Sequence, residues 1–265
     1  AVTAEWDKLI TKRAWMIDTV QPRAQVIAKA KALNKTVHFG SLMDLCHLKH
    51  AELAPQFQKY KGRVVFRGDN VRDEEGFYAV FSEQGSSVSH LMAAKFLDAI
   101  ARMPGCEGED ADATSAYTQV VLEGPGGKAE EFGHTETWIS LPSHRRPRSW
   151  DNIEDPVCLL RLNLYGHPMA GYYWEQLCKE AIFIAGFEEV PDWECLYVHK
   201  AKGLFLSVYV DDFKMAGRAN ELAPMWKVLG GLLELDPPTK LNHNVYLGCT
   251  QQDVNVPTDQ VKEKS

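Results

Sequence analysis

The sequence lacks any long hydrophobic segment. None of its 265 residues belongs to an uninterrupted apolar run of the roughly 18 residues that a membrane-spanning helix needs, so such a helix is excluded. Residues Ala1–Trp6 supply neither the basic nor the apolar part of a signal peptide, and an initiator Met is missing. A content of 45% hydrophobic and 25% charged residues is typical of a globular protein. From the N-terminal segment, we expect an intracellular protein cut from a longer chain.

Paired cysteines are also missing. The six cysteines are widely spaced and form no C-x-x-C pair. This pattern predicts reduced, mostly buried thiols of an intracellular protein rather than disulfides. The segment Cys46–His50 contains half of a zinc-binding pattern, but no second half lies nearby, which favours a polar helix or loop face.

Basic residues are in deficit. The net charge is −7, which argues against nucleic-acid binding by the chain as a whole, because phosphate contacts need Lys and Arg. The charges are unevenly distributed, however. Residues 1–70 hold 12 Lys and Arg against 6 Asp and Glu, whereas the rest of the chain holds 17 against 30. Residues 1–70 are therefore the predicted phosphate-binding part, and a chance asymmetry on a solvated surface is the alternative.

Hydrophobic periodicity predicts a mixture of helices and strands. The predicted helices cover residues 4–20, 25–33, 89–102 and 221–233, and a further helix ends at Gly186. The predicted strands cover residues 58–69 and 77–81, a segment that ends near Asp112, and a hairpin over 204–217.

Two adjacent carboxylates stand at the centre of that hairpin. Apolar runs rich in strand-forming residues flank Asp211 and Asp212, so the pair is predicted to lie at the turn. Two like charges about 4 Å apart repel each other by roughly 4 kcal/mol at an effective dielectric constant near 20. A bound cation would relieve this repulsion, and a solvated acidic turn is the alternative.

A third carboxylate, Asp112, follows a short strand about a hundred residues upstream. Together with Asp211 and Asp212 it would complete a set of oxygen ligands of the kind that hard divalent cations such as Mg²⁺ prefer. Two such ions can activate an attacking hydroxyl and stabilise a leaving phosphate oxygen. The three carboxylates therefore indicate nucleotidyl transfer.

Six segments resemble motifs of copia-type retrotransposon reverse transcriptases. Their order and spacing agree with that family over nearly the whole chain. The segments are Glu5–Val20 (the opening of the domain), Lys61–Gly68 (K-A-R-L-V-A-R-G), Asp112–Tyr117 (the first aspartate box), Val157–Gly166 (V-C-x-L-x-x-S-L-Y-G), Tyr209–Asp212 (the YVDD box) and Tyr246–Gly248 (F/Y-L-G).

The resemblance implies the α+β fold of a polymerase palm and fingers, in which helices back an antiparallel palm sheet. It places fingers segments at 1–100 and 123–162, palm segments at 101–122 and 163–250, and a tail at 251–265. The thumb and ribonuclease H domains of this family would be absent. Together with integrase, they are expected in the remainder of a Pol polyprotein, in the cytoplasm (in an element particle) or in the nucleus.

The resemblance also implies an RNA-directed DNA polymerase that extends a primer on an RNA or DNA template with dNTPs. In this family, the equivalents of Asp112, Asp211 and Asp212 are catalytic and hold Mg²⁺, which Mn²⁺ can replace. The implied nucleotide-binding residues are Lys61, Arg63, Arg67, Tyr117, Met169 and Ala170. Lys61, Arg63 and Arg67 would hold the triphosphate, and Tyr117 would lie beneath the sugar and exclude a 2′-hydroxyl. Exposed strand charges and a core aromatic are the alternatives.

The sequence departs from the family just after Gly166. Met169 stands where the family has a polar Gln, and Gly171–Tyr172 replace its Pro-Arg pair. A decayed or repurposed domain that binds nucleic acid without polymerising is therefore the alternative function, and a metal-dependent phosphohydrolase on an unrelated fold is a third. The segment His144–Trp150 mixes cations with an aromatic residue and would either grip a single-stranded template or form a solvated basic loop.

Overall fold

A computed structural model describes residues 1–81, 91–124, 126–127 and 131–241, together with the backbone of 245–246 and 249–250. The chain divides into two compact units. The first consists of Ala1–Ser86 and Ser115–Leu177, and the second of Ser87–Thr114 and Cys178–Ser265. Both units combine helices with a sheet, which confirms the predicted α+β class. The assignment of segments to palm and fingers stays a prediction.

The described residues form five α-helices and thirteen short or medium strands. The helices are α1 (Val2–Thr11), α2 (Arg23–Ala32), α3 (Leu91–Ile100), α4 (Ala170–Ile184) and α5 (Ala219–Gly230). The strands are β1 (Trp15–Pro22), β2 (His38–Lys49), β3 (Lys59–Phe66), β4 (Cys106–Asp112), β5 (Thr137–Ser140), β6 (Pro156–Leu160), β7 (Glu188–Glu189), β8 (Leu196–His199), β9 (Leu204–Tyr209), β10 (Asp212–Arg218), β11 (Thr239–Lys240), β12 (Val245–Tyr246) and β13 (Cys249–Thr250).

The first unit is built on a five-stranded sheet in the order β1-β6-β5-β2-β3. The pair β2–β5 is parallel and the other pairs are antiparallel. Val26 and Ala30 of α2 pack with Phe39, Trp138 and Val157 of the sheet to form a buried apolar cluster. This cluster fixes α2 on the sheet, because burial of apolar surface is the main stabilising term in folding.

Helix α1 packs against the β2–β3 pair. Trp6 is buried, its ring lies edge-on to Trp15 at 5.2 Å between centres, and its indole N–H donates to Asp44 at 2.6 Å. Gly62 of β3 allows the chain start to approach closely, because a Cβ atom there would come within 2.4 Å of the Val2 nitrogen. The helix therefore depends on a residue without a side chain at position 62.

The second unit is built on a six-stranded antiparallel sheet in the order β11-β4-β10-β9-β8-β7. Ala93 and Leu97 of α3 pack with Leu196 and Ala216 of the sheet. Four apolar residues of α5 are also buried, at helical spacing: Leu222, Met225, Trp226 and Leu229. These helices therefore stabilise the sheet through its apolar surfaces, and the turn between β9 and β10 lies at one end of the sheet.

A buried ion pair ties α3 to the middle of this sheet. Lys214 of β10 is only 1% exposed, and its ammonium group pairs with the carboxylate of Asp98 on α3. A buried cation is tolerated only when a charged or hydrogen-bonding partner compensates its lost hydration. Asp98 therefore serves the fold of this unit.

Most of the predicted elements are confirmed, and two are wrong. The helices at 25–33 and 221–233, the helix that ends at Gly186, the strand at 58–69 and the strand that ends near Asp112 all appear with small shifts. Gly186 has φ +91°, as expected for a helix stop. Pro224 lies inside α5, beyond its first turn. Ser89, Leu247, Gly248 and the tail from 251 lie outside the described residues.

The helix predicted over 4–20 is correct only for its first half. Arg13 has φ +53°, which ends the helix, and Trp15 then pairs with Leu160 of β6. Pairing with a neighbouring strand overrides the helical periodicity there. The strand predicted over 77–81 is reduced to one bridge, between Tyr78 and Arg72, because Asp73 accepts the backbone N–H groups of the following turn.

The prediction of mostly buried cysteines is also wrong. Of the five described cysteines, all of them free thiols, only Cys158 and Cys178 are buried. Cys106 and Cys195 are half-buried, and Cys46 is exposed on the outer part of β2. Spacing along the chain predicts whether cysteines pair, whereas their burial depends on the packing of distant segments.

Candidate catalytic carboxylate site

The predicted hairpin is confirmed as the pair β9 and β10, but its two-residue turn lies one residue earlier than predicted, because Asp212 is the first residue of β10. Tyr209 pairs with Asp212, which leaves Val210 and Asp211 as the turn. Val210 has φ +56°, a conformation that β-branched residues rarely adopt. The strand pairing on both sides holds Val210 in this strained conformation, a feature that is typical of functional sites. The strained turn sets Asp211 and Asp212 at one end of the sheet.

Strand β4 brings the third predicted carboxylate to the same end. Asp112 lies directly opposite Asp212 in the register of β4 and β10. The next residue, Ala113, donates its backbone N–H to the carbonyl oxygen of Asp211 at 2.7 Å. Asp112 and Asp211 are exposed, and Asp212 is half-buried. Residues about a hundred positions apart in the chain are thus neighbours in the sheet.

The carboxylates interact strongly. Partial burial, the negative charges of Asp211 and Asp112, and the hydrogen bond with Asp112 together raise the pKa of Asp212 to about 6. Burial and the charge of Asp211 also raise the pKa of Asp112, whereas the hydrogen bond from Asp212 opposes that rise. Asp212 therefore holds a proton more readily than an ordinary Asp and shares it with Asp112.

Two further carboxylates near Asp112 were missed by sequence reasoning. The charges of Asp236 and Asp110 both raise the pKa of Asp112. Asp236 donates its backbone N–H to the Asp112 carbonyl at 2.8 Å, and Asp110 accepts a hydrogen bond from the Thr239 hydroxyl at 2.7 Å. Asp110 precedes Asp112 by two residues, so the alternation of side chains along a strand predicts that both lie on the same face of β4. No feature of the sequence predicts that Asp236, which follows α5, lies near Asp112.

The donor chemistry at this sheet end suits a hard divalent cation, which prefers several carboxylate oxygens. Within the described ranges, however, no group of three or more His, Cys, Asp or Glu side chains is already arranged as metal ligands, and this includes Cys46–His50. Asp112 and Asp212 instead turn toward each other and share a hydrogen bond. A cation at this end would have to take the place of the shared proton.

The predicted nucleotide-binding residues belong to the first unit, and two of them contact the same aromatic residue. The guanidinium carbon of Arg63 lies 4.7 Å from the ring centre of Tyr165. The ring of Tyr117 lies 5.6 Å from that of Tyr165. Tyr165 is 50% exposed, and it was not singled out from the sequence, although it is part of the V-C-x-L-x-x-S-L-Y-G segment.

The other predicted nucleotide-binding residues differ in accessibility. Lys61 is exposed on β3, whereas Arg67 forms an ion pair with Asp69 at 2.9 Å. The hydrogen bond to Asp69 raises the pKa of the Arg67 guanidinium. Met169 and Ala170 are buried, at 8% and 5% exposure. Met169 lines a polar cavity in the first unit.

The template-gripping interpretation of 144–150 is wrong in its stacking component. Trp150 is only 2% exposed and has no free face for a base. Arg146 donates to the Leu141 carbonyl at 3.0 Å, and the Arg145 guanidinium lies over the Trp6 ring at 5.2 Å. The aromatic residue and these cations are used in packing within the first unit.

The comparisons with known proteins add nothing to the resemblance to reverse transcriptases, which therefore depends on the sequence motifs alone. No protein-family model matches the chain, and no curated protein matches it significantly. Among the residues that the structure describes, no helix is both long enough and apolar enough to cross a membrane.

Proposed function

We propose that this chain is the catalytic part of an RNA-directed DNA polymerase of the copia type. The observation that carries the proposal is the register of the second sheet, in which Asp212 lies opposite Asp112 and adjoins Asp211 in the turn. The order of the motifs along the chain supports the same function. So does the raised pKa of Asp212, since uncompensated negative charge is typical of a site that acts with a cation.

In this proposal, Asp112 and Asp211 hold Mg²⁺, or Mn²⁺ in its place, and Asp212 supports them from its half-buried position. When bound, two divalent ions supply activation of the primer 3′-hydroxyl and stabilisation of the leaving oxygen. The hydroxyl oxygen forms a bond to the α-phosphorus of a dNTP as it loses its proton, the bond from the α-phosphorus to the oxygen of the β-phosphate breaks, and the pyrophosphate leaves and takes up one proton. Backbone pairing of β4 with β10 keeps the carboxylates in register during this reaction.

The first unit would supply the nucleotide contacts. Lys61 is exposed and free to meet a triphosphate, whereas Arg67 would have to leave Asp69. Arg63 is oriented by the Tyr165 ring, which keeps its guanidinium in place at little entropic cost. Tyr117 takes the role of sugar selection because it follows Asp112 by five residues in the chain.

A domain that binds nucleic acid without polymerising is the second candidate. It is favoured by Met169, which is apolar and buried where the family has a polar Gln. A buried thioether cannot position a template or a nucleotide through hydrogen bonds as an amide does. In this case, the carboxylate site would have lost its partner residues while the fold persisted.

Primer extension and duplex binding, measured side by side, test the proposal. A primed RNA template and a primed DNA template are each incubated with the protein, dNTPs and Mg²⁺, and the affinity for the same duplexes is measured in parallel. We expect extension of the primer on both templates. Tight binding without extension would contradict the polymerase proposal and support the second candidate, and absence of both would reject the two together.

A further inference from the structure

A second polar site lies within the first unit. It is a cavity of about 100 Å³ whose walls include three histidines, His38, His134 and His167, together with Met169 and Tyr173. The histidines come from three separate segments of the chain. The rings of His134 and His167 lie 6.0 Å apart between centres.

Two of these histidines are buried with unsatisfied ring nitrogens. The His134 side chain is 1% exposed, and His167 is 4% exposed. Among the described residues, neither ring nitrogen of His134 has a hydrogen-bond partner, and neither does Nε2 of His167. Buried polar atoms are almost always hydrogen-bonded in folded proteins, so these nitrogens point to a polar occupant of the cavity.

The hydrogen bonds around each ring define what that occupant must offer. Nδ1 of His167 accepts the backbone N–H of Met169 at 3.1 Å, so the single proton of the neutral ring is on Nε2, which is a donor. Nε2 of His134 lies 3.6 Å from the Glu123 carboxylate, which favours a proton on Nε2 and leaves Nδ1 as an acceptor. The occupant must accept from His167 and donate to His134.

The charge of the histidines and the volume of the cavity further restrict which molecules can bind there. Burial lowers the pKa of His134 to about 4 and that of His167 to about 3, so both rings are neutral near pH 7. The described residues that line the cavity include no Lys, Arg, Asp or Glu, and the Glu123 carboxylate lies on the Nε2 side of His134. A metal ion is disfavoured because Nε2 of His167 carries a proton. A volume of about 100 Å³ favours a molecule of only a few heavy atoms.

We propose that this cavity binds a small uncharged primary amide, whose carbonyl oxygen accepts from His167 Nε2 and whose N–H group donates to His134 Nδ1. An amide carries its acceptor and its donor on different atoms, which suits two rings 6.0 Å apart. Met169 and Tyr173 supply the apolar surface against which the rest of the molecule packs. This proposal does not rest on the proposed polymerase activity.

Titration with acetamide and acetate, followed through the histidine side-chain signals in NMR spectra at neutral pH, tests this proposal. The two molecules have nearly the same shape, but acetate is charged and has no N–H donor. We expect saturable shifts of the His134 and His167 signals with acetamide, and at least about tenfold weaker binding of acetate, because acetate leaves the His134 acceptor unpaired.

The variant His134→Phe should abolish the saturable response, whereas His47→Phe, at an exposed position of β2, should leave it unchanged. Should His134→Phe fail to fold, the comparison of acetamide with acetate on the unmodified protein decides alone. Shifts that grow linearly with both molecules, or equal affinity for the two, would overturn the proposal and leave water or an adventitious additive only as the occupant.

Discussion

Asp212 and Asp112 face each other across two antiparallel strands, and their side chains share a hydrogen bond. Their mutual repulsion, together with that of Asp211, is relieved in part by a proton. This relationship connects the fold of the second unit to its proposed chemistry, since the strand register alone brings the two carboxylates together.

The contribution of Asp212 to the stability of the protein should fall as pH rises from about 4 to about 6. The pKa of Asp212 is 3.8 before folding and about 6 in the folded state. In this window Asp212 binds more protons in the folded state than in the unfolded state, so each step to higher pH reduces its contribution. Above about 6, Asp212 is ionised in both states and its contribution becomes constant.

The variant Asp212→Asn should therefore unfold at a higher temperature than the unmodified protein at pH 7.5, and at nearly the same temperature at pH 4. Asp192→Asn is a suitable control because Asp192 is exposed in the same unit and its φ of +63° suits Asn. Thermal unfolding followed by circular dichroism measures both. A stabilisation of equal size at the two pH values would show that the carboxylates are not coupled.

Selection against ribonucleotides should depend on Tyr165 as well as on Tyr117. Tyr117→Ala should increase the ratio of ribonucleotide to deoxyribonucleotide incorporation by at least about 100-fold, because it removes a ring that excludes the 2′-hydroxyl. Tyr165→Ala should shift the ratio in the same direction, since Tyr165 supports that ring at 5.6 Å. Tyr165→Phe keeps the ring and should preserve the ratio.

An unchanged ratio in a folded Tyr117→Ala variant would contradict the sugar-selection role. In that case Tyr117 only packs the first unit, and both sugars should be used equally poorly. Measuring the ratio rather than the total activity separates the two roles.

Nucleic-acid affinity should depend on salt through Lys61 and Arg63 more than through Arg67. Each lost phosphate contact should flatten the slope of log affinity against log salt by roughly 0.7 to 0.9. Arg67→Gln should change the slope least, because Arg67 already pairs with Asp69 at 2.9 Å. Fluorescence anisotropy of a labelled duplex between low and moderate salt measures the slopes. If Lys61→Gln and Arg63→Gln leave the slope unchanged, the phosphate contacts lie elsewhere.

The buried pair of Lys214 and Asp98 should be needed for the stability of the second unit. Asp98→Ala would leave the Lys214 ammonium, which is 1% exposed, without this partner. Breaking a buried pair in this way costs about 3 to 5 kcal/mol. Urea unfolding should show a loss of this size. The double variant Asp98→Ala with Lys214→Met should recover most of it, because no buried charge remains, and a single variant of unchanged stability would contradict this role.

The hairpin and its carboxylates could be predicted from the sequence because their signals are local. Apolar residues flank Asp211 and Asp212 on both sides, and these residues alone predict the two strands of the hairpin. The strand at Trp15–Pro22 was mistaken for helix because its partner, β6, lies far along the chain. Periodicity within one segment contains no information on such a partner.

The remaining features of the candidate sites depend on contacts between distant segments. Tyr165 joins Arg63 to Tyr117, and the histidine cavity combines residues 38, 134 and 167. Asp236 reaches Asp112 only because the chain returns past β4 after α5. Each of these residues looks ordinary in its own segment, so only the folded arrangement gives it a role.

Single-nucleotide extension of a primed template by the unmodified protein, Asp112→Asn and Asp192→Asn tests the central claim most directly. All three proteins are compared with Mg²⁺ at concentrations that saturate the duplex, so that binding differences do not affect the rate. We expect the unmodified protein and Asp192→Asn to extend the primer at similar rates, and Asp112→Asn to be slower by a factor on the order of 100 or more. Extension by Asp112→Asn at the unmodified rate, or no extension by the unmodified protein, would contradict a catalytic role for the Asp112–Asp212 pair.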